Sequence, residues 1–242
     1  MLISIVIPVH NEADNIGKLI SELKSSLLPS KDLSYQIVIV DDASNDNTVI
    51  VLSEIKKQIP NLKIVRHKEK YGQSGAIVTG VEHAEGELII TMDGDGQNDP
   101  ADIPKLISPL LFDGGKRCMV IGYRKNRKDS LWRIISSRVA NAVRTFLLKD
   151  NTRDTGCGLK AFYRSSFIIL PFFNHMHRFL PALFRMYGGE VISVEVNHRA
   201  RIQGRSNYGT LDRLWAGLID LMGVYWLCMR TRKISDREMI DG

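Results

Sequence analysis

The chain has 242 residues, 44% of them hydrophobic and 25% charged, with a formal net charge of +6. That composition excludes a disordered chain and allows one large domain, or a domain with an appendage, around a real core. The basic balance suits nucleic acid, anionic lipid headgroups or phosphorylated small molecules, while three scattered cysteines (Cys118, Cys157 and Cys228) exclude a disulfide framework or zinc spacing and fit a reducing cytosol.

The N-terminal segment lacks a charged n-region and a small-residue cleavage site, so no signal peptide is expected. Ile3–Ile7 is a continuous β-branched apolar run and reads as a buried strand. From Glu12 to Leu27, Ile16, Leu19, Ile20, Leu23 and Leu27 recur at helical spacing. Gln36–Val40 reads as a second buried strand ending in Asp41 and Asp42. Asn45 or Asp46 caps the next helix, with Asp46 preferred. Leu62–Val65 and Leu88–Met92 are further strands, separated by a helix over Ser74–Ala84. The latter strand runs into Asp93-Gly94-Asp95. Pro100 opens a helix, and Met119–Ile121 is a fifth strand. This alternation predicts a mainly parallel sheet with helices on both faces. Ligands bind such sheets beyond the carboxyl ends of the strands. The polar clusters at 10–12, 41–42, 67–73 and 93–97 are therefore expected to converge on one edge.

The second half is less regular. Leu131–Leu148 reads as a basic amphipathic helix, and Asp154–Arg164 holds a glycine-rich turn and a short strand. Phe179–Tyr187 reads as a helix, Val191–Val196 as a strand, and Arg199–Tyr208 as a polar, basic loop. Leu211–Arg230 is a long apolar helix. Its apolar stretch from Leu214 to Met229 is interrupted by Asp220 and is shorter than the roughly 20 residues of a spanning helix, so none is expected. The expected organisation is a catalytic domain over residues 1–208, followed by a C-terminal amphipathic helix and tail over 209–242.

Asp93 and Asp95 flank a glycine at a strand end, where backbone and metal can approach closely. Hard oxygen ligands suit Mg²⁺ or Mn²⁺ bridging to a diphosphate, with Gln97 as a further oxygen ligand. A solvated acidic turn is the alternative. Asp41 or Asp42 can accept from an N–H of a nucleobase, or belong to the helix-capping cluster. His10 can lie flat against a base, or simply occupy a strand-to-helix turn with Asn11 as its cap. His67, His83, His175 and His177 have no metal-ligand spacing. Cys157, between glycines, reads as small and buried.

The segments IVIPVHNE, VDDASNDNT, KYGQSGA, TMDGDGQNDP and GYRKNRKDSLWR follow one another as in the family 2 glycosyltransferases. DTGCGLKAFYR and HRARIQGRSNYG extend the match, which runs from about Ile3 to Tyr208. The chain most resembles the branch that glycosylates polyprenyl phosphates, which includes dolichol-phosphate mannose synthase and undecaprenyl-phosphate sugar transferases. The resemblance implies a GT-A fold and inverting transfer of a hexose from GDP-mannose or a UDP-sugar. It implies that Pro8, His10, Glu12, Asp41 and Asp42 line the nucleoside pocket and that Asp93, Asp95 and Gln97 hold Mg²⁺ or Mn²⁺. Arg124, Arg133 and Ser137 would receive the lipid phosphate. Arg201 would brace the donor's phosphate, and Asp154 and the GCGLK segment would lie near the acceptor. His198 fits the branch's HxxR pattern. The chain departs from the family in having His10 where tyrosine is frequent, and Gly204-Arg205-Ser206-Asn207 where a lysine is frequent.

A phosphate acceptor is already anionic at neutral pH and needs no strong general base. Positioning and stabilisation of the leaving diphosphate then dominate, in keeping with Arg124, Arg127, Arg133 and Arg138 beside Trp132, Ile134 and Ile135. Trp215, Trp226, Arg230, Arg232 and Lys233 suit a membrane interface on the cytoplasmic face, a membrane partner protein or a second copy; core packing is the alternative. A soluble or glycan hydroxyl acceptor, with Asp154 as base, is the competing enzymatic reading. No nucleic-acid-binding pattern is found, and the acidic strand ends would repel a polyanion.

Overall fold

The computed structural model describes residues 1–27, 34–112, 117–124, 143–150, 152–199 and 210–231, with backbone only over 210–216. Seven strands form one sheet: β1 (Leu2–Val9), β2 (Ser34–Asp41), β3 (Leu62–Arg66), β4 (Leu88–Thr91), β5 (Met119–Arg124), β6 (Lys160–Tyr163) and β7 (Val191–Val196). Their order is β3-β2-β1-β4-β6-β5-β7. β1 pairs in parallel with β2 and β4, and β2 with β3, so the carboxyl ends of these strands share one edge. β6 runs antiparallel to both β4 and β5, whereas β5 and β7 are parallel. That reversal brings the start of β6 to the edge where β4 ends.

Alternation along the strands explains why both faces are covered. Ile3, Ile5, Ile7, Ile37, Ile39, Leu88 and Ile90 face α1 (Ala13–Leu27), α2 (Thr48–Lys56) and α4 (Ile103–Phe112), whose Ile16, Leu19, Leu52 and Leu106 complete that core. Val6, Val38, Val40 and Ile89 face the other way. They pack with α3 (Gly72–His83), α5 (Leu180–Met186) and α6 (Thr210–Arg230) through Ala76, Val81, Leu183 and Val224.

The expected strands fall within one to three residues of those observed. Pro100 opens a short 3₁₀ turn, Pro100–Asp102, that leads into α4. The cap of α2 falls on Asn47, which makes no side-chain bond. Asp46 does the bonding instead, accepting from the Thr48 amide at 2.9 Å and from the Thr48 hydroxyl at 2.5 Å. Of the basic helix expected at 131–148, only 143–148 are described, and they are helical. Helix α6 buries Leu221 and Val224, while Ile219, Met222, Trp226 and Met229 stand exposed on its other side. It is tied down by Asp220, whose Oδ2 lies 2.8 Å from His175 Nδ1. Among the described residues no helix is long and apolar enough to cross a membrane.

Helix α3 lies close to the sheet because Gly80 has no side chain: a Cβ there would stand 2.3 Å from Val6 Cγ1 and 3.3 Å from Val40 Cγ2. Gly80→Ala is expected to destabilise the domain by about 1–3 kcal/mol. Gly17 in α1 has Ile55 Cδ1 at 4.0 Å as its nearest neighbour, so Gly17→Ala is expected to stabilise by about 0.5–1 kcal/mol. Urea unfolding midpoints at constant slope measure both.

Candidate active site

The exits of β1 and β2 are laced together. Asn11 and Ala43 both adopt left-handed backbone, with φ of 59° and 56°. Asparagine tolerates this conformation and alanine does not, so strain is stored beside the strand ends. The Asn11 amide donates to Ser44 Oγ at 2.9 Å, and the Asn45 amide donates to Asn11 Oδ1 at 2.9 Å. The Glu12 amide donates to Thr48 Oγ1, and Glu12 Oε2 accepts from Asn15 Nδ2 at 2.7 Å, which binds the first turn of α1. His10 Nδ1 lies 2.8 Å from the Asp42 carbonyl. That carbonyl can only accept, so Nδ1 carries a proton. Pro8 sits in β1 opposite Val40, and its carbonyl faces Gly94, where a Cβ would come within 3.1 Å.

Asp41 and Asp42 are both buried, but their oxygens are used differently. Asp42 Oδ1 accepts from the Tyr71 amide at 2.8 Å and lies 2.8 Å from His67 Nδ1; Oδ2 accepts from the Gly72 amide at 2.7 Å. This carboxylate therefore caps α3, where an anion also meets the positive end of the helix dipole. His67 is held on its other side by Thr79 Oγ1 at 2.9 Å and meets the Tyr71 ring edge-on. Asp41 Oδ1 accepts from the Ser44 amide at 3.4 Å, while Oδ2 is buried without a hydrogen bond, 3.3 Å from Arg66 Nε.

Beyond β4, the Asp93 amide donates to Asn98 Oδ1 and Asp93 Oδ1 accepts from Gln73 Nε2 at 2.7 Å. Its other oxygen lies against Gly158, where a Cβ would stand 2.2 Å from it, so only glycine fits. Asp95 Oδ1 accepts from the Gln97 amide at 3.1 Å, closing a tight turn with Gly96 at φ 73°. Gln97 Nε2 points at the Arg199 carbonyl at 3.4 Å and lies 3.5 Å from His198 Nε2. Burial and the Asp95 carboxylate push Asp93 up to about 6, against the opposing pull of Lys160, Arg124 and the Gln73 hydrogen bond. A divalent cation would relieve that repulsion. Among the described residues no group of three or more acidic, histidine or cysteine side chains converges. The carboxylates of Asp93 and Asp95 and the side-chain oxygen of Gln97 are hard donors that would suit Mg²⁺ or Mn²⁺.

The side of the site built by β5 and β6 is cationic. Arg124 forks onto Asp154, with Nε to Oδ2 at 2.6 Å and Nη2 to Oδ1 at 2.9 Å. The segment bearing Asp154 is held by buried Arg144, whose guanidinium donates to the Thr152 carbonyl at 2.7 Å and to Thr155 Oγ1 and sits beside Asp150. Lys160 is buried, and its Nζ donates to the Cys157 carbonyl. Burial lowers its pKa while Cys157, Asp93 and Asp154 favour its charged form. Cys157 itself is sealed, and burial raises its thiol, so it stays protonated.

The structure thus gathers Pro8, His10, Glu12, Asp41, Asp42, Asp93, Asp95 and Gln97 at the carboxyl ends of β1, β2 and β4, with Arg124 and Asp154 across from Asp93. Arg133, Ser137 and Arg201 lie outside the described residues. Arg144 is built in although the sequence did not single it out, whereas His67 and Gln73 bound the 67–73 cluster expected at this edge and Lys160 ends the GCGLK segment expected near the acceptor.

Residues 4–170 match the family described as Glycosyl transferase family 2. The dodecaprenyl-phosphate galacturonate synthase of Rhizobium johnstonii is 34% identical over 226 residues, covering 92% of this chain and 66% of that protein. The undecaprenyl-phosphate 4-deoxy-4-formamido-L-arabinose transferase of Edwardsiella ictaluri is 34% identical over 235 residues, covering 95% and 68%. The chain therefore spans about two thirds of the length of these relatives. Among solved structures, glucosyl-3-phosphoglycerate synthase of Mycobacterium tuberculosis with Mn²⁺, UDP and glucosyl-3-phosphoglycerate superposes with a TM-score of 0.70 at 19% identity, covering 96% of this chain and 81% of that one. The shared architecture is the GT-A fold.

In metal-free protein the folded-state value of Asp93, about 6, lies above the ordinary 3.8. The folded chain therefore binds the extra proton between those values, and stability falls as pH rises through that window. Asp93→Asn is expected to exceed the parent in stability by about 1–2 kcal/mol at pH 7 and to match it near pH 4. Urea unfolding with chelator present checks this.

Proposed function

This chain belongs to glycosyl transferase family 2, and we propose that it transfers a hexose, with inversion, from GDP-mannose or a UDP-sugar to a polyprenyl phosphate at a membrane surface. The single observation that carries the reading is the pairing of an acidic strand-end site with an arginine-bearing wall across it. Asp93 and Asp95 stand on one side and Arg124, locked onto Asp154, on the other. The two relatives, both prenyl-phosphate sugar transferases, supply the acceptor class.

Each residue has a distinct task in this reaction. His10, Glu12 and Asp41 shape the nucleoside end, where the buried Asp41 Oδ2 makes no hydrogen bond and is faced by Arg66 Nε at 3.3 Å. Asp93 and Asp95 would hold Mg²⁺ or Mn²⁺, which supplies charge neutralisation for the leaving diphosphate. Gln73 fixes Asp93 from one side and the Gly158 backbone from the other, so the carboxylate is preorganised before substrate arrives. An oxygen of the acceptor phosphate attacks the anomeric carbon as the bond from that carbon to the diphosphate oxygen breaks. The nucleoside diphosphate departs with the electron pair. A phosphate nucleophile has no proton to lose when it is already dianionic, so Asp154 can serve as the anchor of Arg124 instead of as a base. Arg124, with Arg133 and Ser137, then orients the acceptor phosphate. The exposed Ile219, Met222, Trp226 and Met229 of α6, ahead of Arg230, support peripheral contact with the cytoplasmic face of a membrane, whether alone, beside a membrane protein or as a homo-oligomer.

Purified protein, Mn²⁺ or Mg²⁺, a panel of nucleotide sugars and a short polyprenyl phosphate test the reading through nucleoside diphosphate release. Lipid-dependent release from one donor is expected. Release indifferent to the lipid would replace the acceptor with a soluble one. Asp95→Asn is expected to slow transfer on the order of 100-fold, and full activity in that variant would remove the metal assignment. Arg124→Ala is expected to raise KM for the lipid phosphate more than KM for the donor.

A further inference from the structure

One residue from Gln73, which holds Asp93, lies a second polar pair. Ser74, in the first turn of α3 and 3% exposed, places its Oγ 2.7 Å from Nδ1 of His177. His177 belongs to the 3₁₀ turn Met176–Arg178 that leads toward α5. The backbone amide of His177 donates to the same Ser74 Oγ at 3.2 Å. With one lone pair of Oγ taken by the amide, a Ser74 proton given to Nδ1 leaves the ring proton on Nε2. Burial, then Lys160, Arg178 and His175, hold the imidazole well below its usual range, so it is neutral. Lys160 is also one of the cations acting on Asp93, so His177, Lys160 and Asp93 share one electrostatic neighbourhood. His177 as a residue is half-buried, and among the described residues Nε2 has no hydrogen-bond partner, Ser74 holding only the Nδ1 side of the ring. An oriented, uncharged N–H donor beside a diphosphate site is suited to an uncharged oxygen. A cationic ring would instead compete for the diphosphate.

We propose that His177 is a specificity-determining residue for the transferred sugar, donating Nε2–H to one sugar hydroxyl from a ring held in place by Ser74. This rests on the donor being a nucleotide sugar. A site built to bond a hydroxyl rejects the analogue lacking it far more strongly than an apolar pocket rejects a missing methylene, so the interaction should be visible as a difference between donors.

Calorimetric titration of the full chain with Mn²⁺ compares UDP with UDP-glucose and UDP-galacturonic acid, and GDP with GDP-mannose. Absence of binding by any sugar nucleotide to the parent overturns the functional reading itself, and this inference with it. Where the parent binds, His177→Ala is expected to leave the nucleoside diphosphate Kd within about twofold and to weaken the sugar nucleotide by about tenfold. His177→Gln, which keeps an N–H donor, should recover part of that loss, and Ser74→Ala should lose part of it. Deoxy-sugar analogues complete the test and need only the parent and His177→Gln if the alanine variant does not fold. The parent should reject one deoxy position by about tenfold, and His177→Gln should reject it less. Equal weakening toward diphosphate and sugar nucleotide, unchanged affinity for both, or no deoxy position that the parent rejects more than His177→Gln does, overturns the assignment.

Discussion

Several carboxylates collected at one edge of a sheet, in or near the protein interior, are tolerated only if something answers their charge. That requirement organises the molecule. Asp42 is answered by two backbone amides and His67, Asp154 by the fork of Arg124, and Asp150 by the buried Arg144. Asp93 is answered least completely, by one amide side chain and the field of Lys160 and Arg124, and its proton affinity rises accordingly. The loops that connect strands to helices take the shapes that deliver these partners. An incompletely compensated carboxylate beside Asp95 is where a divalent cation would be stabilised most.

Much of this was legible in the sequence because the relevant signals are local. Apolar β-branched runs marked β1, β2 and β4, and the acids that follow them fell at strand ends by arithmetic alone. The ordered motifs identified the family, which the match over residues 4–170 bears out. What stayed hidden depends on residues far apart in the chain. Asp42 reads as a possible base-contacting acid, yet its oxygens are bonded to residues 25 to 30 positions away. His67 and His177 read as unremarkable because histidine pairs by proximity in space: Ser74 and His177 are 103 positions apart. Lys160 sits in a four-residue strand too short to show that a cation there must be buried.

The two halves of the site differ in construction. The half formed by β1, β2 and β4 is parallel, and its side chains are fixed largely by backbone groups: Tyr71 and Gly72 amides on Asp42, and the Gln97 amide on Asp95. The half formed by β5 and β6 relies on side-chain ion pairs, Arg124 with Asp154 and Arg144 with Asp150. Backbone amides hold a geometry whatever the surrounding substitutions, whereas an ion pair between side chains changes whenever either partner does.

The reversed strand β6 has a consequence for how the chain is made. The four strands β3-β2-β1-β4 are complete within the first 91 residues, whereas the Gly158 carbonyl that bonds the Thr91 hydroxyl lies 67 positions further on. During synthesis the open side of β4 must therefore wait for a segment that leaves the ribosome several seconds later, at roughly 5–20 residues per second. Until then Ile89 and Ile90 form an unpaired apolar edge. The step that covers this edge also presses Gly158 against Asp93, so protection from misassembly and completion of the acidic pocket are the same event.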